Sequence, residues 1–344
     1  MGATPESVTH GQRLYDAVEL AVLGGGERYT RAQVAEATGV DLERLTTLWR
    51  ALGFPSPDDD DALFTTADIR AIGHLAALLD AGLLEAKDAD AAIRTMGRTF
   101  ARLAEWEIDQ LAPHLAIGDV DTLDQETINA VADQVDALLP QIQQLQDYVW
   151  RRHLTGSAAR ALLNSDRAGA ELTVGFADIV GFTRTSRRLT REELADLIER
   201  FEATATEIVA SGGGRVIKTI GDEVLFVADE PRDAAEIGLA FAARHAEDRR
   251  FPKVRVGLAN GPVLARFGDV FGEAVNIAAR LTSLARPSTV LANGALAALL
   301  SEEYRVKRTA TERVRGYARL ETWRLKPPRA STPSIEMWGG RTSR

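Results

Sequence analysis

The amino-acid sequence predicts an α+β protein, with an all-helical N-terminal domain followed by a domain in which helices flank a mixed β-sheet. Three observations support this fold class. Apolar residues recur with helical spacing from residue 10 to about residue 155. The stretch "TGSAARALLNSDRAGA" then interrupts this pattern with Gly, Ser and Asn. Beyond it, predicted strands and helices alternate without a strict βαβ rhythm, which favours a mixed sheet.

The domain boundaries follow from the same change of pattern. A length of 344 residues suggests two domains of ordinary size. We place the helical domain at 1–155, a linker at 156–170, the mixed-sheet domain at 171–326 and a tail at 327–344. The tail is rich in Pro and Ser, so it buries little apolar surface and is expected to be flexible.

Composition restricts the compartment and the chemistry. The chain contains no cysteine, which excludes disulfides and thiolate metal sites and fits a reducing cytoplasm. The N-terminus lacks a basic region followed by an apolar run, so we expect no secretory signal. No apolar stretch approaches the length of a membrane span. We therefore expect a cytoplasmic protein that is at most peripheral to a membrane.

Charge is distributed unevenly between the two halves. Residues 1–150 carry 26 Asp and Glu against 10 Lys and Arg, whereas residues 151–344 carry 24 against 31. The first half, with a net charge of −16, should repel nucleic acid and anionic lipid. The second half, at +7, suits an anionic ligand.

The elements of both domains can be predicted from their patterns. Six helices are expected in "GQRLYDAVELAVL", "TRAQVAEATGV", "DLERLTTLWRALGF", "TTADIRAIGHLAALLDAGL", "DADAAIRTMGRTFARLAEWEIDQLAPHL" and "DQETINAVADQVDALLPQIQQLQDYVWRRHL". In the second domain, Thr190 and Glu193 form a predicted capping box, and Pro231 opens a further helix. The strands expected are "ELTVGFADI", the hairpin "RVIKTIGDEVLFVA", a strand pair in "KVRVGLANGPVLARFG", "STVLANG", and a final strand or hairpin in "RVRGYARLETWRL"; a helix is expected in "GEAVNIAARLTSLA".

Charged residues at strand ends are the candidate functional groups. Asp178 ends an apolar strand, and Asp222 lies at a hairpin tip beside Gly221. Two converging carboxylates can hold a hard cation on a polyphosphate. Taken alone, each aspartate is more often a turn or capping residue, so the case for a site rests on their combination. Glu223 has no assigned role and is expected to be solvated.

Three motifs together resemble the class III nucleotidyl cyclases over residues 170–325. These are "FADIVGFT", "KTIGDE" and "FGDVFGEAVNIAAR", which have the order and spacing typical of that family. The resemblance implies a fold related to the ferredoxin-like arrangement and a homodimer with active sites at its interface. It also implies conversion of ATP to 3′,5′-cyclic AMP and pyrophosphate with two divalent cations, Mg²⁺ or Mn²⁺.

The resemblance assigns roles to individual residues. Asp178, Ile179 and Asp222 match the metal site. Phe182 and Thr183 lie in the turn whose backbone N–H groups would face phosphate oxygens. The site residue Arg315 lies where the family often has a lysine for the terminal phosphates.

The resemblance also assigns the nucleoside contacts. Lys218 and Asp269 match the residues that read adenine, whose N1 accepts and whose N6 donates a hydrogen bond; guanine reverses these polarities, so ATP is favoured over GTP. Asn276 matches the residue that orients the ribose, and Arg280 the one that stabilises charge on the α-phosphate. Taken alone, Lys218 could be a strand-edge lysine and Asp269 a turn residue. Asn276 and Arg280 could simply belong to an exposed helix face.

The first domain supports two hypotheses. Residues 29–84 resemble the helix-turn-helix of MerR-type regulators, so the alternative function is a MerR-like DNA-binding regulator with a nucleotide-sensing domain. The acidic charge of the first domain argues against DNA as a partner.

A helical module joined to a cyclase domain also resembles the actinobacterial adenylyl cyclases with a pH-sensing, autoinhibitory regulatory domain. That resemblance implies pH or a fatty acid as a signal, with His153 beside the linker as a titratable candidate.

Overall fold

The computed structural model describes residues 9–82, 86–115, 123–163, 171–314 and 317–328. The chain divides into two compact units, Met1–Ser165 and Asp166–Arg344. Most of the predicted tail and the candidate residue Arg315 lie outside the described residues.

The first unit is built from helices, as predicted. They are α1 (His10–Leu23), α2 (Arg31–Thr38), α3 (Leu42–Ala51), α4 (Thr66–Asp80), α5 (Ala86–Leu111), a short 3₁₀ helix (Ala112–His114) and α6 (Gln125–Leu163). Capping boxes start α2, with Thr30 and Gln33, and α4, with Thr65 and Asp68. Among the described helices, none is both long and apolar enough to cross a membrane.

Helix α6 extends further than the sequence pattern suggested. It spans 39 residues and continues through Gly156 and Ser157 to Leu163. The segment predicted as a linker therefore begins inside a helix. Single Gly and Ser residues weaken a helix by only about 1 kcal/mol or less, so their presence does not end one.

The second unit is a mixed sheet with helices, which confirms the predicted fold class. Its strands are β1 (Glu171–Ile179), β2 (Arg215–Ile220), β3 (Glu223–Ala228), β4 (Val254–Pro262), β5 (Leu264–Arg266), β6 (Asp269–Phe271), β7 (Val290–Ala292), β8 (Arg305–Val314) and β9 (Tyr317–Lys326). Its helices are α7 (Phe182–Ser186), α8 (Arg191–Ser211), α9 (Pro231–Glu247), α10 (Glu273–Leu284) and α11 (Gly294–Leu300). The seven-stranded sheet has the order β2-β3-β1-β4-β7-β9-β8, and only the β4–β7 pair is parallel.

One predicted strand pair is wrong. The stretch "KVRVGLANGPVLARFG" was expected to pair with itself, but β4 joins the main sheet between β1 and β7. Strand β5 instead pairs with β6 in a separate two-stranded sheet, with Leu264 opposite Phe271. Local alternation identified both strands but could not identify their partners, which are set by tertiary contacts.

The sheet is buried on both faces. Helices α8, α9 and α11 cover one face, where Phe201, Phe241 and Leu296 are buried. Helix α10 packs on the opposite face over Leu225 and Val227.

A glycine in β4 brings α10 close to the sheet. A Cβ atom on Gly257 would lie 2.3 Å from the backbone nitrogen of Thr282. This close approach fixes α10 directly above the strands that carry the candidate site.

Candidate active site

Asp178 is positioned by the two strands that flank β1. In the register of the sheet it lies opposite Glu223 of β3 and Arg255 of β4. Its side chain is only 12% exposed, and Oδ2 accepts a hydrogen bond from Arg255 Nε at 2.5 Å. Arg255 Nη1 also donates to the carbonyl oxygen of Ser283 at 3.2 Å. The guanidinium thus joins the candidate carboxylate to the end of α10.

A tight turn places Asp222 beside Asp178. Ile220 and Glu223 face each other across the two-residue turn that joins β2 to β3. Gly221 has a φ of +64°, which a residue with a Cβ atom rarely adopts. The carbonyl of Asp222 accepts a hydrogen bond from the N–H of Ile179 at 3.1 Å, which ties the hairpin tip to the end of β1.

The two aspartates affect each other's ionisation. Burial raises the pKa of the Asp222 carboxyl, and the negative charge of Asp178 raises it further. The structure therefore brings together the two carboxylates that the sequence analysis selected. Their mutual repulsion would be relieved by a bound cation.

Glu223 differs from the expectation that it is solvated. Its side chain is partly buried, and burial raises the pKa of its carboxyl to about 7, with the charges of Asp178 and Asp222 adding to the effect. Its position at the start of a strand suggested exposure, but the register places it beside Asp178. A carboxyl group that titrates near neutrality is thus part of the site.

The donor set fits a hard divalent cation only in part. Carboxylate and carbonyl oxygens are the ligands that Mg²⁺ prefers, and Asp178, Asp222 and the backbone carbonyl of Ile179 offer such atoms. Within the described residues, no group of three or more His, Cys, Asp or Glu side chains forms a complete metal cage. Remaining ligands would therefore have to come from water or from substrate phosphates, as is usual for Mg²⁺.

Lys218 and Asp269 form a direct ion pair. Lys218 Nζ, on β2, donates to Oδ2 of Asp269, at the start of β6, at a distance of 2.5 Å. The other oxygen of Asp269 accepts from the N–H of Val270 at 2.8 Å. Burial would raise the pKa of Asp269, but the hydrogen bonds from Lys218 and Val270 outweigh it and lower that pKa. The pair presents a cationic donor next to an ionised acceptor.

Asn276 and Arg280 lie on the exposed side of α10. Ala274 and Ala278 point into the core, so the two polar residues face away from the sheet of their own unit. Their spacing of four residues places them on one helical face. Within the described residues, neither side chain forms a hydrogen bond or ion pair with the carboxylates or with Lys218.

The predicted phosphate turn leads into a short helix. Gly181, with a φ of +73°, precedes α7, and its carbonyl accepts from the N–H groups of Arg184 and Thr185. The N–H groups of Phe182 and Thr183 come first in the helix and have no intrahelical acceptor. The Phe182 ring packs against the core, while Thr183 is exposed.

Arg255 was missed by the sequence analysis. A signal was present, because "KVRVGL" places an arginine between two valines of an alternating apolar strand. Because side chains alternate along a strand, this arginine lies on the sheet face opposite to that of Val254 and Val256. Only the strand order shows that this face also carries Asp178.

Comparisons with known proteins match both parts of the chain. Residues 166–327 match the model of the adenylate and guanylate cyclase catalytic domain, and residues 9–154 match that of the adenylate cyclase regulatory domain. An adenylate cyclase of Streptomyces coelicolor is 44% identical over 283 residues, which cover 81% of this chain and 74% of the relative. An adenylate cyclase of Glutamicibacter nicotianae is 37% identical over 341 residues, covering 94% and 84%.

The name of a third relative includes a regulatory property, sensitivity to pH. This relative is a pH-sensitive adenylate cyclase of Mycobacterium tuberculosis, 30% identical over 299 residues that cover 84% of this chain and 75% of the relative. Both domains are thus matched in the same order. The chain therefore belongs to the adenylate cyclase family in which an N-terminal regulatory domain is joined to a class III cyclase catalytic domain.

Proposed function

We propose that this chain converts ATP to 3′,5′-cyclic AMP and pyrophosphate at two sites, each shared between the two chains of a homodimer. The Lys218–Asp269 pair is the observation that carries the choice of ATP. Adenine presents an acceptor, N1, next to a donor, N6, and this pair offers a donor next to an acceptor. Guanine presents the opposite polarity and would leave both charged groups mismatched.

The reaction is an in-line attack of the ribose 3′-oxygen on the α-phosphorus, with pyrophosphate as the leaving group. Asp178, Asp222 and the carbonyl of Ile179 would hold two divalent cations, Mg²⁺ or Mn²⁺. When bound, such cations lower the pKa of the attacking hydroxyl and offset negative charge on the phosphates. The protein's own contribution is to fix the base, the ribose and the phosphates in a reactive geometry.

Several groups of the chain suit the phosphates and ribose. The N–H groups of Phe182 and Thr183 can donate to phosphate oxygens, and Arg315 is placed by the sequence motif among the residues for the terminal phosphates. Asn276 would orient the ribose, and Arg280 would stabilise the charge that develops on the α-phosphate. These roles come from the family motifs and remain predictions.

Arg255 is suited to a further role at the same place. Its guanidinium already occupies one oxygen of Asp178. A guanidinium has several donors in a planar fork, so it can contact a phosphate while remaining beside the carboxylate. We assign Arg255 to the phosphate end of the substrate.

A second chain would complete each site. Asn276 and Arg280 face away from their own sheet, where no group of their own site reaches them. Ile220, Leu264 and Phe271 are large and apolar, yet each is more than half exposed. Ile220 and Phe271 lie on the strands that carry Lys218 and Asp269, and Leu264 lies on β5, which pairs with β6. Exposed apolar side chains on these elements favour a contact with another protein surface. A second copy would cover them, and each site would combine the metal-binding aspartates of one chain with the base-reading lysine of the other.

Regulation belongs to the N-terminal unit in this proposal. The Mycobacterium tuberculosis relative is named as pH-sensitive, and this chain matches it over both domains. We infer that the unit inhibits the catalytic domain and that acid relieves the inhibition; a fatty acid remains a second candidate signal from the family resemblance. Removing residues 1–160 should change the rate and its pH profile. An unchanged rate and profile would exclude this role.

The activity itself is tested by measuring cyclic AMP formed from ATP with Mn²⁺ or Mg²⁺. We expect turnover by the full chain and a loss of about a thousandfold or more in Asp222→Ala. Asp196→Ala, an exposed aspartate on α8, is the matched control and should retain full activity. A chain that shifts DNA at physiological salt but forms no cyclic AMP would instead support the MerR-like alternative.

A further inference from the structure

The catalytic unit contains a basic cavity that the proposed reaction does not use. It has a volume of about 330 Å³, and its lining includes two arginines, three threonines and two leucines. None of the lining residues is acidic. Arg324 lies on β9, three strands from β1 in the order β1-β4-β7-β9, so the cavity is roughly 14 Å across the sheet from Asp178.

The loop that carries Arg286 is held in a defined conformation. Arg286 follows the last turn of α10, and its carbonyl accepts hydrogen bonds from the N–H of Thr289 at 3.1 Å and from Thr289 Oγ1 at 2.7 Å. Ser288 has a φ of +55°, which is strained for a residue with a side chain, and its N–H donates to the carbonyl of Val254 at 2.7 Å. A conformation that costs free energy persists because these contacts hold it.

Arg324 is positioned on the other side of the cavity by sheet register. It lies opposite Leu291 of β7, and two residues earlier on the same face the hydroxyl of Thr322 contacts that of Thr309 at 2.5 Å. The base of the cavity is thus formed by strands, which are rigid supports. Both Arg286 and Arg324 are exposed residues.

Neither guanidinium is neutralised within the described part of the chain, where no ion pair or hydrogen bond involves the side chain of Arg286 or of Arg324. Arg308 of β8, by contrast, is paired with Glu321 at 2.5 Å. Two like charges on one cavity repel each other, and an anion between them converts that repulsion into attraction. The planar fork of a guanidinium matches phosphate oxygens in particular.

We propose that this cavity binds a phosphate-class oxyanion between Arg286 and Arg324. Inorganic phosphate and pyrophosphate both have this chemistry and fit the volume. The site is separate from the nucleotide-binding groups, because none of its lining residues is among those assigned to base, ribose, phosphates or cations.

Calorimetric titration of the full chain with orthophosphate and with pyrophosphate tests this site. A chelator is present and nucleotide is absent, so that cation-dependent binding at the catalytic centre does not contribute. We expect binding at physiological salt that weakens about tenfold or more in Arg286→Gln and in Arg324→Gln. Arg324→Lys, which keeps the charge but loses the fork, should fall between the wild type and Arg324→Gln. The anion that binds with the higher affinity is the preferred ligand.

Two controls separate this site from other sources of anion binding. Arg200→Gln removes an exposed arginine from α8 and should bind as the wild type does. Arg280→Gln should also leave the affinity unchanged, because Arg280 belongs to the catalytic centre. Unchanged thermal unfolding midpoints without anion would show that the variants are folded. The proposal is overturned if neither anion binds, if Arg200→Gln weakens binding equally, or if Arg280→Gln removes it.

Discussion

Arg255 Nε lies 2.5 Å from Asp178 Oδ2, although the two residues are 77 positions apart in the chain. The pair joins β4 to β1 at the point where the sheet carries its candidate metal ligands. Asp178 is nearly buried, whereas Arg255 is about one-third exposed. Removing the arginine would leave a carboxylate that is shielded from water without its partner.

Arg255→Gln should therefore destabilise the chain. We expect the free energy of unfolding in chelator to fall by about 1–3 kcal/mol, because a buried charged group loses its hydrogen bond. Urea unfolding measures this. Arg308→Gln breaks an ion pair whose two side chains are half exposed. It should lower the free energy of unfolding by less than about 1 kcal/mol. Equal losses of unfolding free energy in the two variants would show that the Arg255–Asp178 pair stabilises the fold no more than an exposed ion pair does.

A double substitution isolates the interaction itself. Asp178→Asn combined with Arg255→Gln removes both partners of the pair, so neither is left buried without the other, and the loss of unfolding free energy should be smaller than the sum for the two single substitutions. If the losses of unfolding free energy were additive, the interaction inferred from the geometry would be contradicted.

Base preference should follow the polarity of the Lys218–Asp269 pair. Exchanging the two residue types, by Lys218→Glu with Asp269→Lys, retains an ion pair but reverses its donor and acceptor. We expect kcat/KM for ATP to fall about a hundredfold or more, and the ratio of GTP to ATP turnover to rise. Steady-state assays with each nucleotide measure this. A doubly substituted enzyme that still prefers ATP would show that the pair does not read the base.

Mixing two inactive variants tests whether sites are shared between chains. Lys218→Ala disables the base-reading part and Asp222→Ala the metal-binding part, so each homodimer should be inactive. A heterodimer places both defects in one site and leaves the other intact. Random pairing of equal amounts should restore about a quarter of wild-type activity, since half of the dimers have one working site of two. If each site were built from one chain, mixing would restore nothing.

Glu223 should make stability depend on pH in the metal-free protein. Its pKa is about 7 in the folded chain against an ordinary value of 4.5, so between these values the folded state retains a proton that the unfolded state has lost. Its contribution therefore favours folding at low pH and is lost as pH rises towards 7. Because the side chain is partly exposed, we expect a total on the order of 1 kcal/mol.

Glu223→Gln removes this titration. The variant should become more stable relative to the wild type as pH rises from 5 to 7, with no further change above 7.5. Urea unfolding in chelator across this range measures the difference. Parallel pH profiles for the two proteins would contradict the raised pKa of Glu223.

Local pattern was sufficient for much of this fold. The capping box at Thr190, the proline that opens α9 and the tight turn at Gly221 each depend on neighbours within a few residues. The helical first half and the mixed sheet of the second follow from hydrophobic periodicity, which is also local. Continuation of α6 beyond Gly156 was not predicted, because one glycine changes helix stability too little to decide where a helix ends.

The sequence by itself determined which groups are available for chemistry: the carboxylates at the ends of β1 and β2, the lysine in the hairpin, and the Asn and Arg of one helical face. Tertiary structure alone decided that Arg255 pairs with Asp178, that Glu223 is partly buried beside it, and that Arg286 and Arg324 share a cavity. The physical reason is that these contacts join residues on different strands and loops. Which strands become neighbours is set by burial of the whole sheet, and no short stretch of sequence contains that information.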